Sequence, residues 1–327
     1  MTVTLRDVAR AAGVSTASAS RALARPEAVS EELRGRILAA ATRLGYAPNL
    51  AARSLVGGRS GLVAMLVDTL IEPLPAAAAA EMQRALGREG YSLIIATTGG
   101  VREEALTRAR EVLGRGVEAL ISWSTPEGSG LAEIVAAYGV PWLSFDEPDF
   151  HEPGFAATSG RRSGAILGCR YLLTLGHRRF GVVAAPGAGI REAVRAVLAG
   201  AGATLVETDA VAHGADLDGA QAAAGRLLDG GQATALLCGN DLLAMAALRA
   251  CRARGASVPE EVSLVGFGDS LLARCSAPAL TSVRVSAEEI GVRTTEALML
   301  MLGDGVPSPV ELPLKLVIRE STGPVPA

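Results

Sequence analysis

The residues from Ser15 to Leu23 carry the clearest chemistry in the chain. Thr16, Ala17, Ser18, Ser20 and Arg21 are small or polar and fall on one side of a predicted helix, away from Ala19, Ala22 and Leu23. Small side chains let a helix approach base edges closely. The Arg21 guanidinium offers either a two-pronged donor to guanine O6 and N7 or a single cation to a phosphate. Signatures of catalysis are missing: there is no GxSxG, HExxH or P-loop string. Cys169, Cys238, Cys251 and Cys275 show no CxxC spacing, so they read as small buried core residues, and neither a metal site, a cofactor nor a disulfide framework is expected. His177, in a Leu-Gly-His turn, reads as structural rather than as an acid–base catalyst. Trp123 and Trp142 follow predicted strands and fit core packing or ligand stacking equally well.

The elements around the small polar face are those that would have to position it. Leu5, Val8, Ala9 and Ala12 share a face of a short helix, Gly13 ends it, Val14 can plug a core, and Ser15 is a good N-cap for a second helix running to about Leu23. Two short helices joined by a tight glycine-containing turn make a helix-turn-helix candidate. A third helix follows, capped by Ser30, with Glu31 and Glu32 in its first turn, an apolar stripe of Leu33, Ile37, Ala40, Ala41 and Leu44, and a stop at Gly45. Asn49–Leu55 is helix-capable but too short to be stable alone, and Gly57–Gly61 reads as a flexible link.

The charge divides along the same line. The whole chain has a net charge of −3, yet its first 60 residues hold nine arginines against Asp7, Glu27, Glu31 and Glu32, which leaves +5 there and −8 on the remaining 267 residues. A basic module on an acidic body suits contact with phosphate through one end only. Apolar residues at 49% and charged residues at 20% exclude a disordered chain. Met1–Leu5 lacks a basic start leading into an apolar run, and the apolar stretches are short, so the expectation is a cytoplasmic protein without a membrane span.

Beyond Gly61, short apolar runs alternate with amphipathic ones. Strands are expected at Leu62–Val67, Ser92–Ala96, Ala119–Ser122 and Trp142–Phe145, then at Arg179–Ala184, Ala203–Val206, Ala235–Cys238 and Val262–Gly266. Helices are expected at Glu103–Leu113, Ser163–Leu173, Arg191–Leu198, Leu217–Leu228 and Leu242–Arg252. This alternation predicts parallel sheets covered by helices, in two similar halves, with ligands at the crevice where the strand C-termini open.

The string TLRDVARAAGVSTASASRAL, followed by VSEELRGRILAAATRLGYAPNLAARSL and GRSGLVAMLV, resembles the lac repressor (LacI/GalR) family in order and spacing over about the first 67 residues. The later elements Leu175–Phe180, Cys238–Asp241, Val258–Phe267 and Pro278–Arg284 also match family strings. The resemblance implies an all-α helix-turn-helix headpiece joined to a periplasmic-binding-protein-like α/β body of two doubly wound parallel-sheet subdomains. On that reading the headpiece is 1–48, the hinge helix and linker 49–60, and the body 61–327. The body's first subdomain is about 61–157 and 284–312, and its second about 158–283 and 313–327. DNA contacts are implied for Thr4, Ser15, Thr16, Ala17, Ser20 and Arg21, and in the hinge for Asn49, Ala52, Arg53 and Leu55. Leu55 stands where the family wedges a leucine into the minor groove, a contact that can unstack a base step and bend the duplex.

The departures from the family gather in the implied effector cleft. After the first strand the family's P-D-x-x-N-P-F-F appears as Asp68–Pro75, so Glu72 replaces an amide and both aromatics are gone. A D-N-x-x-G element appears as Gly160–Gly164, and G-F-D-D becomes Gly266–Asp269. The implied effector residues are Glu72, Asp146, Arg191 and Asn240. The G-F-G-D form, with Cys251–Gly255 upstream, resembles gluconate-type repressors within the family. Arg191 and the loss of an aspartate at Gly268 therefore favour an anionic sugar acid over a neutral sugar as the effector. The resulting expectation is an effector-controlled transcriptional repressor, a homodimer on a pseudo-palindromic operator. The rival expectations are a solute-binding protein or carbohydrate enzyme on the same body fold, and a constitutive DNA binder with an empty cleft.

Overall fold

A computed structural model describes residues 3–24, 28–46, 59–123, 130–145, 155–156, 160–186, 189–209, 211–308 and 312–325. The chain falls into two compact units, Met1–Gly61 and Leu62–Ala327.

In the first unit, helices α1 (Leu5–Ala12), α2 (Thr16–Ala24) and α3 (Glu31–Leu44) pack around Val8, Ala9, Ala12, Ala19, Ala22, Ile37, Ala40 and Ala41. Six of these eight residues are alanine, so the helices come close together, and Val14, Leu23, Leu33 and Leu44 close the edges of the core. The Asp7 carboxylate accepts from the Thr4 backbone N–H at 3.0 Å and from its hydroxyl at 2.6 Å, which starts α1. Gly13 ends α1 with φ 64°, and the Ser15 hydroxyl starts α2 by accepting from Ser18 N at 3.0 Å. Arg36 of α3 donates to Ala12 O at 2.7 Å, tying the third helix to the end of the first.

The second unit is built on two sheets. Strands β1 (Leu62–Val67), β2 (Ser92–Thr97), β3 (Ala119–Trp123), β4 (Trp142–Ser144) and β5 (Phe155–Ala156) form one parallel sheet in the order β2-β1-β3-β4-β5. Strands β6 (Arg179–Val183), β7 (Thr204–Val206), β8 (Ala235–Cys238), β9 (Ser263–Phe267), β10 (Thr281–Arg284) and β11 (Lys315–Val317) form the other. Its order is β11-β10-β9-β8-β6-β7, parallel except for the β10–β11 pair. In each sheet the chain turns first to one side and then to the other. The switch points are β1/β3 and β6/β8, where crevices open at the strand C-termini.

Helices α4 (Pro73–Arg88), α5 (Arg102–Gly114) and α6 (Leu131–Tyr138) serve the first sheet. Helices α7 (Arg161–Thr174), α8 (Ile190–Ala199), α9 (Leu217–Leu228), α10 (Asp241–Ala253) and the short α11 (Leu271–Cys275) serve the second. After β10 the chain returns to the first sheet as α12 (Ala287–Leu302), which packs on α4, and then crosses back as β11. The contact is close: a side-chain carbon at Gly291 would lie 2.6 Å from Glu81 Cβ. Met65, Met82, Leu86, Ile121, Ile290 and Leu298 share the resulting core with Leu74, Trp123 and Phe145. Among the described residues no helix is long and apolar enough to cross a membrane.

The eight expected strands and five expected helices all form, with ends shifted by two residues at most. Helices α4, α6, α11 and α12 and strands β5, β10 and β11 were not expected. The sequence reading places no helix at Pro73–Arg88, a run that opens with two prolines within three residues. In fact Pro73 takes the first helical position, where its missing N–H costs nothing, and Leu74, Ala78, Met82 and Leu86 form the buried stripe. Three cysteines are buried as expected, and burial pushes the Cys169 thiol up to about 12, but Cys275 is exposed at the end of α11.

His177 is a structural residue and fully buried. Its Nε2 lies 3.1 Å from Gly323 O, an atom that can only accept, so Nε2 carries the proton. Nδ1 then accepts from the Thr234 hydroxyl at 3.0 Å, while Ser263 Oγ lies 3.0 Å from Nε2 and Gly323 N donates to that hydroxyl at 3.1 Å. One neutral ring thus ties the starts of β8 and β9 to the C-terminal segment. Burial holds its pKa below the ordinary histidine range, against the opposing effect of the Gly323 carbonyl. The unfolded chain takes up this proton near pH 6.5, at about the model-peptide value, whereas the folded chain does so only at lower pH. The unfolded state therefore binds more protons in that window, and stability falls as pH drops below about 6.5. His177→Gln keeps one donor and one acceptor without a titrating ring. By calorimetry the wild type is expected to lose more melting temperature than this variant between about pH 7 and about pH 5; equal losses would show that His177 titrates alike in both states.

Candidate functional site

The first candidate surface is the outer face of α2. Ser15, Thr16, Ala17, Ser20 and Arg21 are exposed there, while Ala19 and Ala22 are buried beneath them. Ser18, expected on the same face, is half-buried and is turned back to Ser15, with the two hydroxyl oxygens 2.9 Å apart. No described residue pairs with the Arg21 guanidinium, so it is available to a partner. Thr4 is also exposed, although its hydroxyl proton is committed to Asp7, whose carboxyl is held below the usual range chiefly by that hydrogen bond. Arg6, Arg10 and Arg43 add exposed positive charge to the unit. The hinge residues Asn49, Ala52, Arg53 and Leu55 lie outside the described residues, as does Asp146 of the cleft.

The second candidate is the crevice where the C-terminal ends of the two sheets face each other. Glu72 stands at the N-cap position of α4, with its side chain turned away from the helix end, and is almost fully buried, with its side chain 4% exposed. Its Oε2 lies 2.8 Å from the NH2 group of Arg161, the first residue of α7, whose side chain is 11% exposed. The two departures read in the sequence as separate changes therefore face each other as one ion pair. On its other side the Glu72 carboxylate is pressed against Gly214, where any side-chain carbon would collide with Oε1. Asn240 completes the contact by donating from Nδ2 to Gly214 O at 2.8 Å, while its Oδ1 caps α10 by accepting from Leu243 N at 2.8 Å. The structure thus gathers Glu72 and Asn240 around Arg161 and Gly214.

Arg191 is held elsewhere in its neighbourhood. Its NH2 donates to Asp209 O at 3.3 Å, and its NH1 lies 4.0 Å from Glu207 Oε2. Burial lowers its pKa, with Glu207 opposing that effect. No described contact joins it to Glu72 or Asn240.

The crevice also holds polar atoms that have no hydrogen-bond partner among the described residues. These include Asp68 Oδ1 at the end of β1, Arg161 Nε at the start of α7 and Trp123 Nε1 at the end of β3, and Arg191 NH1 near the start of α8 is likewise buried without a hydrogen-bond partner. Asp68 is 7% exposed. Burial raises its pKa, His213 lowers it, Glu72 raises it and Arg161 lowers it, in decreasing order of effect. The Trp123 ring stacks on Phe145 with centroids 4.5 Å apart, whereas Trp142 donates to Ser122 Oγ at 3.0 Å and belongs to the core. A cavity lined by Arg161, Ile190, Gly239 and Phe267 has a volume of only about 10 Å³, so the floor of the crevice is nearly filled.

The G-F-G-D segment is spent on structure. Gly268 adopts φ 115°, a conformation an aspartate would hold only under strain. The Asp269 carboxylate binds Arg284 Nε at 2.6 Å and also Arg319. The neighbouring Asp241 is 1% exposed and accepts from the Ser282 hydroxyl at 2.6 Å and from Ser270 N at 2.7 Å; burial nevertheless pushes its pKa up. Sequence reasoning passed over Asp68 and Gly214. Asp68 could have been found as an acid directly following an apolar strand, but nothing local marks Gly214.

Comparison with known proteins finds likeness in both units. Residues 4–49 match the family described as bacterial regulatory proteins, lacI family, and residues 169–322 match a periplasmic binding protein-like domain. The chain is 34% identical over 346 residues to the HTH-type transcriptional regulator MalR of Streptomyces coelicolor, covering 100% of this chain and 98% of the relative. Among solved structures, it resembles the lac repressor dimer bound to operator and the anti-inducer ONPF, with a TM-score of 0.86, 27% identity, and coverage of 99% of this chain and 100% of that one. It also resembles the complex of transcriptional regulator CelR with cellobiose, with a TM-score of 0.70, 29% identity, and coverage of 98% and 99%. These relatives are regulators rather than enzymes. With a matching headpiece at one end, a matching body at the other and likeness along its whole length, the chain belongs to the lacI family of helix-turn-helix, DNA-binding transcriptional regulators.

Proposed function

We propose that the chain is a homodimeric repressor that reads a pseudo-palindromic operator through residues 1–48 and the hinge 49–60, under the control of a neutral polyhydroxylated effector. The effector binds between the subdomains formed by about 61–157 with 284–312 and about 158–283 with 313–327. The supporting observation is the crevice's set of polar atoms without partners among the described residues, an acceptor on Asp68 and donors on Arg161 and Trp123. A hydroxyl both donates and accepts, so a sugar satisfies such a mixed set, whereas a carboxylate only accepts. The charge argues the same way: the Arg161 cation is already matched by Glu72, and Asp68 would repel an anion. This favours a sugar over the sugar acid that Arg191 suggested. The likeness to a regulator solved with cellobiose supports the class of ligand, and the likeness to an operator-bound repressor dimer supports the assembly.

On the DNA side, Thr16, Ala17, Ser20 and Arg21 face base edges in this reading, with Thr4 and Ser15 at the backbone. One such headpiece spans only a half-site, so two are needed for tight binding. Selection from random duplexes should return an inverted repeat, and titration should give two chains per duplex; a site without symmetry would count against the dimer. Arg21→Ala should weaken binding to the selected site by about 1–3 kcal/mol at fixed salt. Because Arg21 is exposed, the variant's melting temperature should match the wild type; unchanged affinity would mean that α2 does not present this residue to a base.

On the ligand side, neutral mono- and disaccharides and the corresponding sugar acids can be compared by thermal shift, then by release of the selected duplex. At least one neutral saccharide should raise the melting temperature and change the DNA affinity. A response confined to the acids would overturn the neutral-ligand reading. The change in DNA affinity can be no larger than the ligand's preference for one state of the body over the other.

A further inference from the structure

The Glu72–Arg161 pair joins elements that belong to different halves of the body. Glu72 stands at the N-cap position of α4, which packs on the first sheet and on α12, while Arg161 opens α7, which packs on β8, β9, β10 and β11. The pair is not needed to complete either half: one apolar core around Leu66, Val112 and Leu120 lies within the first and others around Leu227 and Val182 lie within the second, while a further core that includes Leu74, Phe267 and Val283 runs between them. Glu72 nonetheless reaches across the crevice until its carboxylate touches Gly214 of the opposite half, beside Asn240. Glu72 is buried and the Arg161 side chain is only 11% exposed, and Arg161 keeps an Nε without a partner among the described residues beside the bond. Either partner left alone would be an uncompensated charge in a closed crevice, so the closed arrangement depends on both being present.

We propose that Glu72 is a resident anion of the ligand cleft, seated on Arg161 as an external carboxylate would be and holding the two halves together when no ligand is bound. The inference deepens the reading of this crevice as the effector site and explains how that site discriminates. An anionic ligand finds its natural cation already occupied from within. A neutral ligand enters beside the pair and uses the atoms the pair leaves free. The subdomains are then clasped before binding, and the effector acts on a closed body rather than on two loose halves.

Removing the resident anion should create a site for a free one. Glu72→Ala deletes a group the size of acetate, so acetate is the probe. The measurement is hydrogen–deuterium exchange on the full chain, without DNA or sugar, followed in the segments 69–75, 160–164 and 212–216. Glu72→Ala should speed exchange in these segments about tenfold while leaving β1 and β8 as slow as in the wild type. Millimolar acetate should restore protection in the variant, whereas chloride at equal ionic strength should not, and the wild type should respond to neither. The charge-swapped pair Glu72→Arg with Arg161→Glu should be protected where each single swap is not, which keeps the proposal open to test if Glu72→Ala folds poorly. Wild-type exchange rates in Glu72→Ala, faster exchange throughout both sheets, no acetate effect, or equal acetate protection of the wild type would each overturn it. Because no effector or DNA is present, failure of the saccharide screen leaves this result standing, and the reverse also holds.

Discussion

The body is organised by one constraint: a parallel sheet must be covered on both faces, and this chain builds two such sheets from one run of sequence. The helical layer of the first sheet is finished only when α12 comes back from the second half and packs on α4, so the two halves are completed by exchange rather than in succession. That exchange sets the strand C-termini of the two sheets opposite each other, and with them the loops that carry Asp68, Glu72, Arg161, Gly214 and Asn240. The crevice follows from how the sheets are finished.

Within the crevice, electrostatics outweighs shape. A buried ion pair adds little net stability, because the cost of taking both charges out of water roughly cancels their attraction, whereas losing one partner costs about 3–5 kcal/mol. Such a pair therefore specifies an arrangement more than it strengthens one. Asp68 differs in having an oxygen without a partner among the described residues, and burial drives its pKa upward. A ligand hydroxyl is the least costly remedy for that oxygen, while a second carboxylate is the worst. The charge of the whole chain divides as well, with +5 on the first 60 residues and −8 on the remaining 267.

The headpiece was legible in the sequence because its information is local. Caps at Ser15 and Ser30, the stop at Gly13 and the alternation of small polar with apolar residues along α2 each span a single turn of helix. The strands were legible for the same reason, as apolar runs between turn signals. Helix α4 was hidden by prolines whose role depends on their falling in the first turn, and β11 by being an edge strand of three residues. In the cleft, Glu72 and Arg161 were each visible as departures, but the bond between residues 89 positions apart was not. Gly214 was silent because a loop glycine shows its purpose only when a neighbour occupies the space above it. Arg191 was proposed from family likeness, and its local partners Glu207 and Asp209 come from the loop after β7, which the pattern did not place beside it.

Asp269 has a mechanical consequence. Its carboxylate holds Arg284, the last residue before the chain leaves for α12, and Arg319, just beyond the strand on which the chain comes back. The outgoing and returning connections are thereby braced against the end of β9 like two cords tied at one post. Cords tied in this way resist sliding past each other but can still twist together. A carboxylate shared in this way couples the two connections, so that displacing either one at that end must carry the other with it or break an ion pair.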